Sequence, residues 1–332
     1  MNAFALPYVL EQRSIGRPLD PLVSCIIPAF NEAENIVPLL QTLHRLLGEA
    51  GYRHELVVVD DGSRDETVKR VLTDTLELPV TLIQLSRNFG KEIALTAGID
   101  HVQGDVAVLI DGDFQHPPEM VPAFLGQWRQ GYDMVYSVRP SREGEGLAKR
   151  LFTRAFYALV NSGASLRIPE NTQDFRVLDR CILDALRQMP ERNRFMKGLY
   201  NWVGFTQIAL ETQTQERRAG ESSFNFHRLM SLGMTGLTAF SNMPLRIWSI
   251  VGCMISLLSI AYALWEFFRT LIFGNPLPGW PTLTVAITFL GGVQLLSIGI
   301  LGEYIGRIFN EVKQRPSYLV SKITRLDERR RP

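Results

Sequence analysis

Two long stretches without a single charge, close to the C-terminus, constrain this chain more than any other feature. Residues 247–265 read IWSIVGCMISLLSIAYALW and residues 281–302 read PTLTVAITFLGGVQLLSIGILG. Each is long enough for a helix to cross a hydrocarbon core of about 30 Å, and neither shows the polar stripe of a helix packed on a globular core. They predict a two-helix membrane hairpin. Its orientation follows from the flanking cations. Arg246 precedes the first stretch, while Arg307, Lys313, Arg315, Lys322, Arg325 and the arginines at 329–331 follow the second. The loop at 274–279 is uncharged. Both chain ends are therefore expected in the cytoplasm, with the loop outside and the protein a multi-pass membrane component. Residues 149–160 and 224–240 mix basic and aromatic side chains at helical spacing, and read either as helices lying on the headgroup layer or as ordinary amphipathic core helices.

The first 240 or so positions read instead as a soluble protein. Lys and Arg number 35 against 34 Asp and Glu, a net charge of +1, so no long-range field favours nucleic acid as a partner. Cys25, Cys181 and Cys253 lack metal-ligand spacing and are expected as free thiols. The first twenty residues hold charges and prolines but no continuous apolar core, which argues against a secretory leader.

Residues 23–27, 56–59, 80–85 and 106–110 are short, β-branched and apolar throughout, as strands buried on both faces are. Helical patterns at 32–50, 65–76 and 91–101 alternate with them. Asn31 with Glu34, and Ser63 with Glu66, have the spacing of capping boxes. The alternation predicts a doubly wound α/β sheet, whose ligands bind beyond the carboxyl ends of the strands. There the first strand runs into Pro28-Ala29-Phe30-Asn31-Glu32, the second into Asp60-Asp61-Gly62-Ser63, and the fourth into Asp111-Gly112-Asp113-Phe114-Gln115. Two carboxylates as close as Asp111 and Asp113 repel unless a cation lies between them, and Mg²⁺ or Mn²⁺ suits such oxygen ligands and would bridge them to a diphosphate.

These motifs, with Arg87-Asn88-Phe89-Gly90-Lys91-Glu92, Gln173-Asp174-Phe175-Arg176, Phe195-Met196-Lys197-Gly198 and Leu301-Gly302-Glu303-Tyr304, resemble family 2 glycosyltransferases of the GT-A fold. Over residues 22–320 the set is most similar to bactoprenol glucosyltransferases. The earlier motifs are shared with dolichol-phosphate mannose synthases. The resemblance implies a mostly parallel GT-A domain over 22–225, after an N-terminal tail at 1–21. It further implies a juxtamembrane helix at 226–243, two membrane helices within 244–306, and a basic cytoplasmic tail at 307–332.

The same resemblance implies roles. Pro28, Phe30, Glu32, Asp60, Asp61, Lys91 and Asp111 would bind the donor nucleotide, and Asp111 with Asp113 would ligate the metal. Asp113, Gln115 and Asp174 would serve the reacting centre, and Arg139, Arg150 and Arg217 the phosphates of acceptor and donor. The implied reaction is inverting transfer of a sugar, glucose from UDP-glucose by resemblance, to polyprenyl phosphate in the membrane, by a homo-oligomer. Donors such as GDP-mannose, UDP-N-acetylglucosamine or UDP-aminoarabinose fit the same fold, and a non-catalytic scaffold for glycolipid flipping is the alternative from another class. One position departs from the pattern: Arg217-Arg218-Ala219-Gly220-Glu221-Ser222-Ser223 has Ser223 where relatives carry Lys.

Overall fold

The structure is a computed structural model that describes residues 13–14, 16–139, 172–192, 194–212, scattered positions between 254 and 273, and 279–326. Arg150, Arg217, Ser223, the two interfacial stretches, the juxtamembrane helix and most of the first uncharged stretch lie outside the described residues. The chain divides into two units, one of residues 1–150, 168–225 and 316–332, the other of 151–167 and 226–315.

The first unit is built on an eight-stranded sheet. Its strands are β1 (Leu22–Ala29), β2 (Arg53–Asp60), β3 (Val80–Leu85), β4 (Val106–Leu109), β5 (Met134–Val138), β6 (Thr172–Asp179), β7 (Gln207–Glu211) and β8 (Val320–Arg325), in the spatial order β7-β5-β6-β4-β1-β2-β3-β8. The expected parallel core is present: β1 pairs in parallel with β2 and β4, and β2 with β3. The apolar runs form these strands because helices cover both faces. Helix α1 (Ile36–Glu49) buries Ile36, Leu39, Leu40, Leu43 and Leu47, one stripe at helical spacing. On α3 (Lys91–His101), Gly98 lets the helix backbone approach β1, since a Cβ there would overlap Ile26 Cγ2. The remaining helices of this unit are α2 (Thr67–Asp74), α4 (Val121–Arg129), α5 (Arg180–Gln188) and α6 (Met196–Trp202). Trp128 and Phe124 of α4 pack with Phe175 of β6, the two phenylalanine rings 4.4 Å apart.

The sheet is mostly parallel, as expected: β5 and β7 also pair in parallel, while β6 runs antiparallel to both β4 and β5, and β8 antiparallel to β3. Two expectations need correction. Residues 320–325, expected in a basic tail, form an edge strand of the first unit; Lys322 and Arg325 on it are exposed, as suits an edge protected by charge. The capping boxes are also absent. Helix α1 begins only at Ile36 behind Asn35, and α2 at Thr67 behind Glu66, neither with a side-chain cap.

In the second unit, α7 (Trp280–Val312) runs unbroken past the uncharged stretch that ends at Gly302 and past the bound expected at 306. Leu283, Ile287, Leu295, Ile298 and Ile305 on it are exposed. Among the described residues no helix is both long and apolar enough to cross a membrane.

Candidate active site

Parallel pairing puts Ala29 beside Asp60 and Ile26 beside Leu109, so the turns after β1, β2 and β4 share one edge of the sheet. Strand β6 reaches that edge with its opposite end. Leu109 pairs with Arg176, which brings Asp174, two residues upstream, to the turn after β4. A strand running against its neighbour thus delivers the fourth acidic group from a segment far along the chain.

The polar residues of the first two turns lace loops together. The Asn31 amide N–H donates to Ser63 Oγ at 2.9 Å, and Asn31 Oδ1 accepts from the Arg64 N–H at 2.9 Å. The Glu32 N–H donates to Thr67 Oγ1 at 2.9 Å. Asn31 takes a left-handed conformation (φ 57°) at this junction. Asp60 accepts from the Ser63 N–H at 3.2 Å, and burial raises its pKa. Phe30 stands at the rim, 43% exposed.

Asp61 has a different employment from its neighbour. Its Oδ1 accepts from the Phe89 N–H at 2.7 Å and its Oδ2 from the Gly90 N–H at 2.8 Å, closing the loop between β3 and α3. Burial raises the Asp61 pKa, against the pull of those two donors. Gly62 lets the loops touch. It has φ 74°, and a Cβ there would sit 2.8 Å from the backbone of Arg87 and Asn88.

That loop ends at Lys91, the first residue of α3 and the hub of the site. Lys91 Nζ lies 2.7 Å from Asp111 Oδ1 and 2.9 Å from Asp111 Oδ2, and donates to Asp174 Oδ2 at 2.6 Å. Burial alone would lower the Lys91 pKa, but the two carboxylates outweigh it and hold the ammonium above its ordinary value. Lys197 of α6 approaches Asp174 Oδ1 at 3.5 Å and donates to the Thr172 carbonyl. Burial would raise the Asp174 pKa, yet Lys91 and Lys197 hold it well below the ordinary carboxylate range. Asp174 is therefore an anion at neutral pH.

Behind Asp174 is a buried polar layer. Glu92 Oε2 accepts from the Met196 N–H at 3.0 Å, tying α3 to α6; burial, with Asp174 adding, pushes the Glu92 pKa up to about 7. Arg176 is 1% exposed, with Tyr136 and Tyr200 rings against its guanidinium. Its Nε and Nη2 have no hydrogen-bond partner among the described residues. The turn after β4 is equally tight. Phe114 has φ 58° and a buried ring, Asp113 is buried, and its Oδ1 accepts from the Gln115 N–H at 3.0 Å. Burial lowers the His116 pKa, so the ring 3.9 Å from Asp111 Oδ2 is neutral rather than an ion-pair partner.

Of the residues expected at the site, Lys91, Asp111 and Asp174 are thus brought into direct contact. Asp113 and Gln115 lie in the same turn, and Pro28, Phe30, Glu32, Asp60 and Asp61 at the same edge. Arg139 is an exposed residue just beyond β5. Lys197, Glu92 and His116 carried no expected role. Glu92 and Lys197 belong to motifs quoted above, but Lys197 reaches Asp174 only because α6 folds back towards β6; His116 follows Gln115 in the turn after β4.

Asp111 and Asp113 offer the hard oxygen donors that Mg²⁺ or Mn²⁺ prefers. The fit has a physical token: Asp111 already turns both oxygens onto a cation, the Lys91 ammonium. A second group, Asp133, Asp179 and Cys181, brings three ligand atoms within 4.8 Å of one another. Its carboxylates, however, are engaged by Arg13 and Arg17 at 3.1 to 3.5 Å, by Trp128 Nε1 and by Thr206. Asp179 pairs with Val106, the start of β4, so this group sits at the far end of the sheet and anchors the N-terminal arm.

Residues 24–188 match Glycosyl transferase family 2, and residues 243–308 match the GtrB C-terminal hairpin. An uncharacterized glycosyltransferase of Synechocystis is 43% identical over 92% of this chain and 96% of its own. The SfII prophage-derived bactoprenol glucosyl transferase of Shigella flexneri is 42% identical over 90% of this chain and 97% of its own. Among solved structures, glucosyl-3-phosphoglycerate synthase of Mycobacterium tuberculosis, held there with Mn²⁺ and UDP, is similar with a TM-score of 0.46 and 19% identity, over 68% of this chain and 78% of that one. With its acidic strand ends, its hairpin match and relatives aligned along nearly its whole length, the chain belongs to glycosyltransferase family 2, among the members that carry a GtrB-type hairpin.

Proposed function

We propose that this enzyme transfers glucose from UDP-glucose to a polyprenyl phosphate such as bactoprenol phosphate, with inversion, at the cytoplasmic face of a bacterial inner membrane. The observation that carries this reading is the Asp111–Lys91–Asp174 cluster at the carboxyl edge of the sheet, in a chain 42% identical to a bactoprenol glucosyl transferase. The acceptor is a phosphate monoester whose second pKa is about 6, so it attacks as an anion and needs little help from a base. Asp174 agrees with that demand. Held as an anion by Lys91 and Lys197, it has no proton to give and little tendency to take one. It orients the neighbouring ammonium groups and steadies positive charge that develops on the sugar. Lys91 and Lys197 lower the cost of bringing two phosphates together.

Asp111 and Asp113 would hold Mg²⁺ or Mn²⁺, which when bound neutralises the UDP leaving group. Phe30 at the rim and Asp60 would take the base and ribose, and Arg139, Arg150 and Arg217 the phosphates. The uncharged stretches at 247–265 and 281–302 would form the hairpin that keeps the enzyme beside its lipid, an arrangement favoured by the exposed apolar side chains of α7. Transfer assays on the detergent-solubilised chain, with undecaprenyl phosphate and radiolabelled UDP-glucose, GDP-mannose and UDP-N-acetylglucosamine, test the proposal. Label from UDP-glucose alone is expected in the lipid fraction. Lipid labelling from none of the three would sink it.

A further inference from the structure

Lys91 occupies the place where a metal-binding carboxylate would be expected to face its ion. The ammonium is within 2.7 and 2.9 Å of the two oxygens of Asp111, so neither is clear of it, and 2.6 Å from Asp174 on the other side. The backbone at this point is fixed. Gly90 before it is held by Asp61, and Lys91 itself opens α3. The side chain is not fixed in the same way: it is 42% exposed, and its four-carbon stem can carry the ammonium away without moving the helix. When it leaves, Asp174 keeps Lys197 at 3.5 Å, while Asp111 loses a counter-charge.

We propose that Lys91 is a resident counter-cation that makes divalent-cation binding depend on the nucleotide. This rests on the reading of Asp111 as a metal ligand. A divalent ion arriving alone must displace, and is repelled by, the ammonium on Asp111. A nucleoside diphosphate offers that ammonium a new anionic partner, so cation and nucleotide favour each other's binding. The coupling is reciprocal. The device suits an enzyme whose metal is useful only with a diphosphate beside it.

Mn²⁺ titrations of the full 332-residue chain, read by electron paramagnetic resonance with and without UDP, test the inference. Wild type is expected to bind Mn²⁺ weakly alone and more tightly with UDP. Lys91→Met is expected to bind Mn²⁺ alone about tenfold more tightly, with the UDP-induced gain reduced by a similar factor. Lys91→Arg, which keeps the cation, is expected to behave as wild type and guards against a misfolded Met variant. Lys91→Met binding Mn²⁺ alone no more tightly than wild type overturns the inference, as does tightening in Lys91→Arg. Asp111→Asn separates the two levels. If it binds Mn²⁺ like wild type, the metal reading itself falls. If it loses Mn²⁺ while Lys91→Met shows no tightening, only the role of Lys91 falls.

Discussion

Asp61→Asn separates two roles for one carboxylate. As a ribose ligand, implied by resemblance, Asp61 would matter for UDP and little for stability. As the clamp seen in the structure, it holds the Phe89 and Gly90 amides at 2.7 and 2.8 Å. Asparagine can accept one of those hydrogen bonds, but its NH₂ then faces the other N–H, leaving a half-buried donor unpaired. Losing one charge-assisted bond and stranding its donor costs about 2–4 kcal/mol. For a unit of this size that is roughly 5–15 °C in Tm. Since the loop ends at Lys91, the ammonium should lose its register on Asp111 too. The assay is thermal unfolding of the catalytic unit followed by near-UV circular dichroism, alongside UDP binding by calorimetry. A fall in Tm with a parallel loss of UDP affinity supports the clamp. An unchanged Tm with UDP binding lost would refute it and return Asp61 to the ribose.

Three further outcomes are expected. Asp174→Asn should lower kcat yet leave measurable transfer, because the group orients and stabilises rather than moves a proton; complete loss with normal UDP-glucose binding would mean an essential carboxylate. Asp113→Ala, or excess EDTA on the wild type, should abolish transfer, and full activity in either would remove the metal from the mechanism. Glu92 is shifted from an ordinary 4.5 to about 7, so the folded state holds the extra proton and stability falls as pH rises through that window, by on the order of 3 kcal/mol across it. Asp174 acts in the opposite sense, its contribution being lost only as pH drops below about 4. Glu92→Gln should therefore flatten urea-unfolding stability between pH 5 and 7, and an unaltered slope would show that Glu92 titrates normally.

The parallel core was legible because its strands are apolar on both faces, and a run such as Leu56-Val57-Val58-Val59 has no other comfortable place. Asp111 and Asp113 were legible for a related reason: a strand so apolar that ends in two acids places them at the ligand edge. The direction of β6 was not. Thr172 to Asp179, TQDFRVLD, mixes charged with apolar residues, and nothing in its own residues says that it runs backwards along β4. That direction alone puts Asp174 at the carboxyl edge and Asp179 at the other end. The role of Asn31 and Ser63 was misread because short polar side chains before a helix have two outlets. They cap their own helix or bridge to a neighbouring loop, and two adjacent strand ends supplied the bridge.

The return of the chain after α7 shows why a sequence that looks like a tail belongs to the catalytic unit. Strand β8 pairs with β3, and the Ser86 N–H at the end of β3 donates to the Leu319 carbonyl at 2.9 Å. One residue earlier, the Tyr318 hydroxyl donates to Asp100 Oδ2 at 2.9 Å, near the end of α3, and burial with Asp100 raises the tyrosine pKa. The loop that carries Phe89, Gly90 and Lys91 is thus braced at both flanks. Asp61 grips its last two residues, Leu319 grips Ser86 just after the strand before it, and Tyr318 grips the helix after it. A lysine that bridges two carboxylates within 3 Å needs its backbone held to well under an ångström, and a loop of five residues between β3 and α3 offers little stiffness of its own. The positive and alternating character of residues 320–325 follows from the same demand: they must pair with β3 on one side and present an unpaired, charged edge to solvent on the other.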